Sequence, residues 1–291
     1  MSGDQIPHVL SYGGGLDSFA MLVLSIEQGQ PPNIVVFCDV SDGVDPGEWP
    51  GTYQHIREIV QPLCILAGIE FVWLTTAEYP VRDASSLFGW LRARRQIPVA
   101  GPNRICTVVA KVERFERWMD QRFPGQDVEV WVGFEAGEEA RAASDPNAGS
   151  GRKLKPGQAR RHNRFPLMEQ RFCRCRCEAH VRAAGYPVPR KSACVFCPYG
   201  SKGDWQVLAR EFPDAFAQAV ALEADKPPTS AGKKLSIMGY RTIKKDGVEL
   251  GYKAPPLPLF IQGTYKPKRI PCGVCGRADR ASKAAGCGYL P

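Results

Sequence analysis

The sequence predicts an α/β fold: a Rossmann-like parallel sheet with helices on both faces, followed by a basic, cysteine-rich C-terminal region. Three observations carry this. Short apolar segments alternate with helix-periodic segments over residues 1–134, the pattern of strand–helix–strand units. A glycine-rich turn, Ser11-Tyr12-Gly13-Gly14-Gly15-Leu16-Asp17-Ser18, joins the first strand to the first helix. Beyond Gly137 the composition shifts to Gly, Ala, Ser, Arg and Lys, and cysteines gather.

The chain has 291 residues, enough for one large domain or two modest ones with an ample core. No apolar run reaches about 18 residues, so no transmembrane helix is expected. Met1–Pro7 has no basic stretch leading into an apolar one, so no signal peptide is expected. These readings lead to an expectation of a cytoplasmic protein without a membrane partner, its thiols reduced. Eleven cysteines then point to metal or redox chemistry rather than to a disulfide framework. The net charge of +8 divides unevenly. Residues 1–150 carry 11 Lys and Arg against 20 Asp and Glu, a charge of −9, and residues 151–291 carry 27 against 10, a charge of +17. The basic half suits an anionic partner, nucleic acid being the usual one, or else is simply a solvated basic face.

Taken in order, His8-Val9-Leu10 ends a first short strand and Phe19–Leu24 begins a buried helix. Between them, the glycines let the backbone approach an anion and present successive N–H groups to it. The helix start adds unpaired donors and the positive end of a dipole. Ser11 and Ser18 can donate to phosphate oxygens. Asp17 beside an anion makes sense as a helix cap or as a holder of Mg²⁺. A glycine-rich turn that merely changes direction is the plainer alternative. Two other phosphate loops are excluded by spacing: Asp17 stands where G-x-x-x-x-G-K-[ST] needs Lys, and Ser18 where G-x-G-x-x-G needs its third Gly.

Ile34–Cys38 reads as a buried strand, ending at Asp39, where a ligand crevice is expected. Thr52–Leu66 reads as a helix with Ile56, Ile59, Val60 and Leu63 on one face, which Pro62 kinks or ends early. Phe71–Leu74 is a third strand, Ser86–Arg95 a helix, Val108–Phe123 a helix just after Cys106, and Val128–Val132 a fourth strand ending at Gly133. Gly149–Arg161 reads as a mobile basic loop or linker. Cys173, Cys175 and Cys177 follow on a basic stretch, then Cys194-x-x-Cys197. Asp204–Ala224 holds one or two helices, and Thr242–Leu250 a hairpin around Asp246-Gly247. Cys272-x-x-Cys275 and Cys287 close the chain. The expected divisions are 1–145 for the nucleotide-binding core, 146–225 for a cysteine-rich region completing the site, and 226–291 for an extension.

Five blocks in order carry a resemblance. Ser-x-Gly-Gly-Gly-x-Asp-Ser at residues 11–18 resembles the PP-loop of the ATP pyrophosphatase superfamily. Phe37-Cys38-Asp39-Val40 with Pro50-Gly51-Thr52-Tyr53, then Arg104-Ile105-Cys106-Thr107 with Lys111, then Gly133 with Glu138 and Arg141, then Lys191-Ser192-Ala193-Cys194 with Cys197-Pro198, are similar to its phosphoadenylyl-sulfate (PAPS) reductase-like branch. The resemblance spans residues 8–225. It implies the adenine nucleotide alpha hydrolase-like version of the fold, with ATP and Mg²⁺ at the strand ends. Ser11, Gly13, Gly14, Gly15, Asp17 and Ser18 would hold phosphates, and Asp39 would lie near the adenosine. Lys111 and Arg141 would be cationic partners of phosphate or sulfate. Two positions depart from the branch. Leu16 replaces its common Lys, which makes the loop more like those of enzymes that split ATP to AMP and pyrophosphate. Val40 stands where Thr is usual.

Cys194-x-x-Cys197 can clamp a metal through two thiolates. By the resemblance Cys106 faces the nucleotide site. With Cys177 these would form a four-cysteine set for a [4Fe–4S] cluster or Zn²⁺. Cys173 and Cys175 are alternatives for the fourth ligand, and His180 is a weaker candidate. Cys106 and Cys177 as buried small hydrophobes are the other reading. Cys272, Cys275 and Cys287 suggest a second Zn²⁺ site without a clear fourth ligand. Cys287-Gly288 also resembles part of the reductase tail, which would make Cys287 a nucleophile. The expected activity is ATP-dependent adenylation coupled to sulfur transfer onto nucleic acid held by the basic half, served by a sulfur donor or reductant protein. The resemblance also implies an accessory role in a defence or mobile-element system. The alternatives are a sulfonucleotide reductase producing sulfite, and a binding module without chemistry.

Overall fold

A computed structural model describes residues 6–100, 104–145, 156–228, 230, 234–238, 241–245, 248–252, 255–265, 272 and 274–275. The chain begins with β1 (His8–Tyr12), α1 (Leu16–Glu27) and β2 (Ile34–Cys38). A long helix follows in three parts: α2 (Pro50–His55), a π-helical turn (Ile56–Val60) and α3 (Gln61–Leu66). Then come β3 (Glu70–Leu74), α4 (Leu87–Ala93), and α5 (Ile105–Thr107), which runs through a second π turn (Val108–Val112) into α6 (Glu113–Arg122). β4 (Asp127–Val132), α7 (Glu139–Ala143), β5 (Arg160–Arg164), α8 (Pro166–Glu169) and α9 (Arg174–Ala183) complete the α/β core. α10 (Lys202–Glu211), α11 (Pro213–Asp225), the hairpin β6 (Arg241–Lys245) and β7 (Val248–Tyr252), and α12 (Leu257–Phe260) follow.

The five core strands are parallel, in the order β3-β2-β1-β4-β5. The expected α/β, Rossmann-like sheet with helices on both faces is therefore present. The order reverses between β1 and β4. Such a reversal is where the loops leaving neighbouring strands diverge and where α/β sheets bind ligands. The glycine-rich turn after β1 and Gly133 after β4 both stand at that point.

Strand residues alternate between two cores, as a half-turn per residue requires. Leu10, Tyr12, Val35, Phe37 and Trp131 face α1, the α2–α3 helix and α9, among them Phe19, Leu22, Ile56, Val60, Cys177 and Val181. Val9, Ile34, Val36, Val128 and Val130 face α6 through Phe115, Trp118 and Met119. A third core joins α4, α10 and α11 around Trp49, Trp90, Phe196 and Trp205.

Several expectations need adjusting. Pro62 does not end the helix: the π turn just before it widens the coil where the proline ring would meet the Glu58 carbonyl. Residues 204–224 form two helices, because Pro213 keeps Phe212 out of the helical region (φ −135°) and restarts the chain as α11. The end of the supposed basic loop is instead the edge strand β5. It has no apolar residue, so periodicity gave no sign of it. Charge pairing supports it: Arg160 Nη2 lies 2.6 Å from Asp127 Oδ2, His162 Nε2 2.7 Å from Asp127 Oδ1, and Arg164 Nη2 2.8 Å from Glu169 Oε2. Charged side chains also suit an unpaired sheet edge. The hairpin is present, with its turn residues Asp246 and Gly247 outside the described residues.

Candidate functional site

The loop after β1 has the form an anion site needs. Gly15 is the N-cap of α1 and supplies no side-chain cap, which leaves the first-turn N–H groups to a ligand. Gly14 has φ +76°, and a Cβ there would come within 2.6 Å of Thr52 Cγ2. A Cβ on Gly13 would meet nothing within 4 Å, so the loop faces open space at that residue. Ser18 is turned inward: its Oγ accepts from Gly13 N at 3.3 Å and donates to Gly15 O at 3.1 Å. It therefore braces the loop, whereas Ser11 lies half-buried within β1. Gly133 lets β4 approach closely, since a Cβ there would lie 3.0 Å from Ser18 N.

Asp17 reaches across to another helix. Its Oδ2 accepts from Arg174 Nη1 at 2.9 Å, which ties α1 to the start of α9. Asp39 is likewise engaged within the protein. Tyr53 Oη donates to its Oδ1 at 2.7 Å, Ser41 N to the same oxygen at 3.0 Å, and Trp73 Nε1 to Oδ2 at 3.0 Å. The carboxylate shapes the crevice wall by fixing the Tyr53 and Trp73 rings, which stack 5.9 Å apart. Arg114, fully buried, does similar work from α6. It donates to the carbonyls of Asp39, Leu74, Tyr79 and Ala110 and so joins the ends of β2 and β3.

Thr52 is a further candidate that its motif alone did not single out. Its Oγ1 is buried beside Gly14 and meets no hydrogen-bond partner among the described residues.

The segment Lys191–Cys194 lies over the loop. Ser192 Oγ donates to the Gly13 carbonyl, and a Cβ on Gly15 would stand 3.4 Å from Ser192 Cβ. The segment also runs beside residues 47–49: Trp49 N donates to Ala193 O and Val195 N to Gly47 O, both at 3.0 Å. This pairing sets Glu48 opposite Cys194. Glu48 is the residue that sequence reasoning missed, as one acid in a Gly/Pro/Asp-rich loop. It is 2% exposed. Its Oε1 accepts from Lys111 Nζ at 2.6 Å and lies 3.9 Å from Cys194 Sγ. Its buried Oε2 has no hydrogen-bond partner among the described residues.

Cys106, Cys194 and Cys197 are electrostatic neighbours in this cluster. Burial first, then Glu48, pushes the Cys194 thiol well up, while Lys111 opposes the rise. Burial pushes Cys197 up to about 11. For Lys111, burial acts to lower the pKa, but Glu48 and then Cys194 outweigh it and the value is raised. Among the described residues these three sulfurs are not drawn close enough together to hold a single metal ion, unlike the group described below. Arg104 stacks over Tyr199 at 4.6 Å and holds the Cys106 segment to the Cys197 turn.

The expected fourth ligand is not in this set. Cys177 lies beneath α1 with Asp17, Glu135 and Arg174 as its charged neighbours, because the helical turn of α9 points it into that core. Cys173 and Cys175 leave on another face and meet Cys272 and Cys275. The four sulfurs lie within 4.8 Å of one another. The expected pairing of Cys272 and Cys275 with a metal thus gains two partners from α9, and Cys287 lies outside the described residues. His180 pairs with Glu27 at 3.2 Å, away from both thiol groups. Arg141 pairs with Glu138 at 3.3 Å and lies over Phe134 at 4.2 Å.

No protein-family model matches the chain, and no curated protein matches it. Among solved structures, it is similar to the phosphoadenylyl-sulfate (PAPS) reductase from Candida auris, determined as a phosphate complex. That likeness has a TM-score of 0.38 and 12% identity, over 64% of this chain and 76% of the other.

Proposed function

We propose that the chain binds ATP with Mg²⁺ at Ser11–Ser18, splits it into AMP and pyrophosphate, and directs sulfur onto an adenylated nucleic acid. The observation that carries this reading is the hydrogen bond from Ser192 Oγ to the Gly13 carbonyl. It joins the segment bearing Cys194 and Cys197 to the anion-binding loop, so phosphate and thiol chemistry share one crevice. An oxygen of the target attacks the α-phosphorus, and the bond to the β-phosphate oxygen breaks as pyrophosphate leaves. Sulfur then forms a bond to the target atom, and its oxygen departs with AMP. The loop N–H groups and the start of α1 bind the phosphates. Lys111 balances negative charge at the thiols.

A metal–sulfur group held by Cys106, Cys194 and Cys197 would supply the transferable sulfide, renewed by a donor protein. Three protein thiolates leave one position for that sulfur. Nucleic acid would lie on the basic C-terminal half. Part of that charge is already matched by acids of the first half, as in Arg160–Asp127 and Arg174–Asp17.

The test is pyrophosphate release from ATP, with and without RNA or DNA. Release that rises with nucleic acid is expected. Sulfite formed from adenylyl sulfate without pyrophosphate would replace the proposal with the reductase reading, and ATP binding without either product with the binding module.

A further inference from the structure

We propose that Cys173, Cys175, Cys272 and Cys275 hold one Zn²⁺ as a tetrathiolate centre that fastens the C-terminal extension to the start of α9. This site is separate from the Cys106–Cys194–Cys197 group, and the proposal does not depend on the activity assigned above.

The four sulfurs come from two segments nearly a hundred residues apart in sequence, yet all lie within 4.8 Å of one another. Four thiolates around one Zn²⁺, each at about 2.3 Å, stand about 3.8 Å apart. Shifts of under about an ångström would therefore complete the tetrahedron. A cubane cluster spreads its four thiolates over four separate irons and holds them further apart than a single ion does. The close grouping favours the single ion.

The surroundings agree. Cys173, Cys175 and Cys272 are buried and form a small cluster of their own, without aliphatic or aromatic members. Four thiols gathered in this way add little as packing. All four are free, so no disulfide accounts for their meeting. The donor pattern also suits the ion. Cys173 is the N-cap of the ten-residue α9 and Cys175 lies in its first turn, so one helix start presents both sulfurs. Cys272 and Cys275 have the two-residue sequence spacing of a zinc knuckle.

The centre would hold more than the tail. Val274, between the two knuckle ligands, packs on Gly137, where a Cβ would meet it at 3.3 Å. Arg174, between the two helix ligands, donates to Asp17 at 2.9 Å. Its backbone N donates to the buried Glu135. The ion would thus clamp the extension onto the two segments that flank the anion loop.

Metal content of the full-length reduced protein tests this. About one zinc per chain is expected. It should fall to none in Cys272→Ser/Cys275→Ser and in Cys173→Ser/Cys175→Ser, and persist in Cys194→Ser/Cys197→Ser. Zinc-edge X-ray absorption of the unaltered protein should show sulfur ligands alone, at about 2.3 Å. This measurement decides the matter even if a variant fails to fold. Zinc retained in both of the first two variants, nitrogen or oxygen in the ligand shell, iron lost in place of zinc, or a mass showing two disulfides would each overturn the proposal.

Discussion

Lys111 Nζ donates a 2.6 Å hydrogen bond to Glu48 Oε1, and Glu48 is sealed from solvent while Lys111 keeps a third of its side chain exposed. The asymmetry sets the energetics. Removing the lysine strands a buried carboxylate, and removing both charges does not. Lys111→Met should therefore lose about 3 kcal/mol of stability, as expected for breaking a buried pair from one side. Glu48→Gln/Lys111→Met should recover more than half of it. Urea denaturation of the two variants and of Glu48→Gln closes the cycle. A loss in the double variant equal to the sum of the two single losses would show that the pair is not coupled.

Gly14→Ala is expected to disable nucleotide binding while leaving the sheet intact. The backbone there has φ +76°, and the new methyl would meet Thr52. The left-handed conformation alone costs an L-residue about 1–3 kcal/mol. ATP affinity by calorimetry should drop by at least about tenfold, since 1.4 kcal/mol corresponds to that factor. Thr52→Ser relieves the steric part only, so Gly14→Ala/Thr52→Ser should stay impaired. Restored affinity in that double variant would mean that the clash, not the backbone, dominates.

Arg114 is the costliest arginine to replace. Its guanidinium is buried, forms no ion pair among the described residues, and donates to the carbonyls of Asp39, Leu74, Tyr79 and Ala110. Arg114→Met takes one donor from each of those carbonyls, of which Leu74 O keeps the Asp39 N–H, at about 1 kcal/mol for each bond lost. A loss of about 3 kcal/mol or more is expected. Arg114→Lys should rescue little, because one ammonium cannot reproduce the planar fork. A lysine variant as stable as the parent in urea would refute this account.

Stability should fall with acid between about pH 6.5 and 4 because of His55. Burial lowers its pKa from 6.5 to about 4. It packs edge-on against Phe19 at 4.7 Å. In that window the unfolded chain takes up a proton that the folded chain refuses, so the folded state loses ground as pH drops. The full shift corresponds to about 3 kcal/mol. His55→Phe should flatten this part of the profile. An unchanged slope between pH 7 and 5 would assign the acid sensitivity elsewhere.

Much of the architecture is legible in residue order. β1 to β4, α1, the long α2–α3 helix and α6 are all marked by apolar periodicity, and the glycine run marks the loop. β5 is not, because an edge strand of Arg, His and Asn needs no apolar face. Arg114 and Glu48 are hidden for a different reason. Each is one polar residue in an ordinary context, and each acquires its role from partners 40 to 75 residues away that no local pattern records.

The cysteines divide the two kinds of information most clearly. Their number and the Cys-x-x-Cys spacings are properties of the chain, because spacing alone decides which thiols can share a turn. Which turns meet is not. Cys173, Cys175 and Cys177 read as one cluster along the sequence, yet the helical rotation of α9 sends Cys177 under α1 and the other two toward Cys272 and Cys275. Sequence alone determined the parallel α/β core and the glycine-rich loop, since strands, glycines and helix starts are local features. Only the tertiary structure decided the grouping of the thiols and the pairing of Glu48 with Lys111, because contacts between distant segments depend on how whole elements pack.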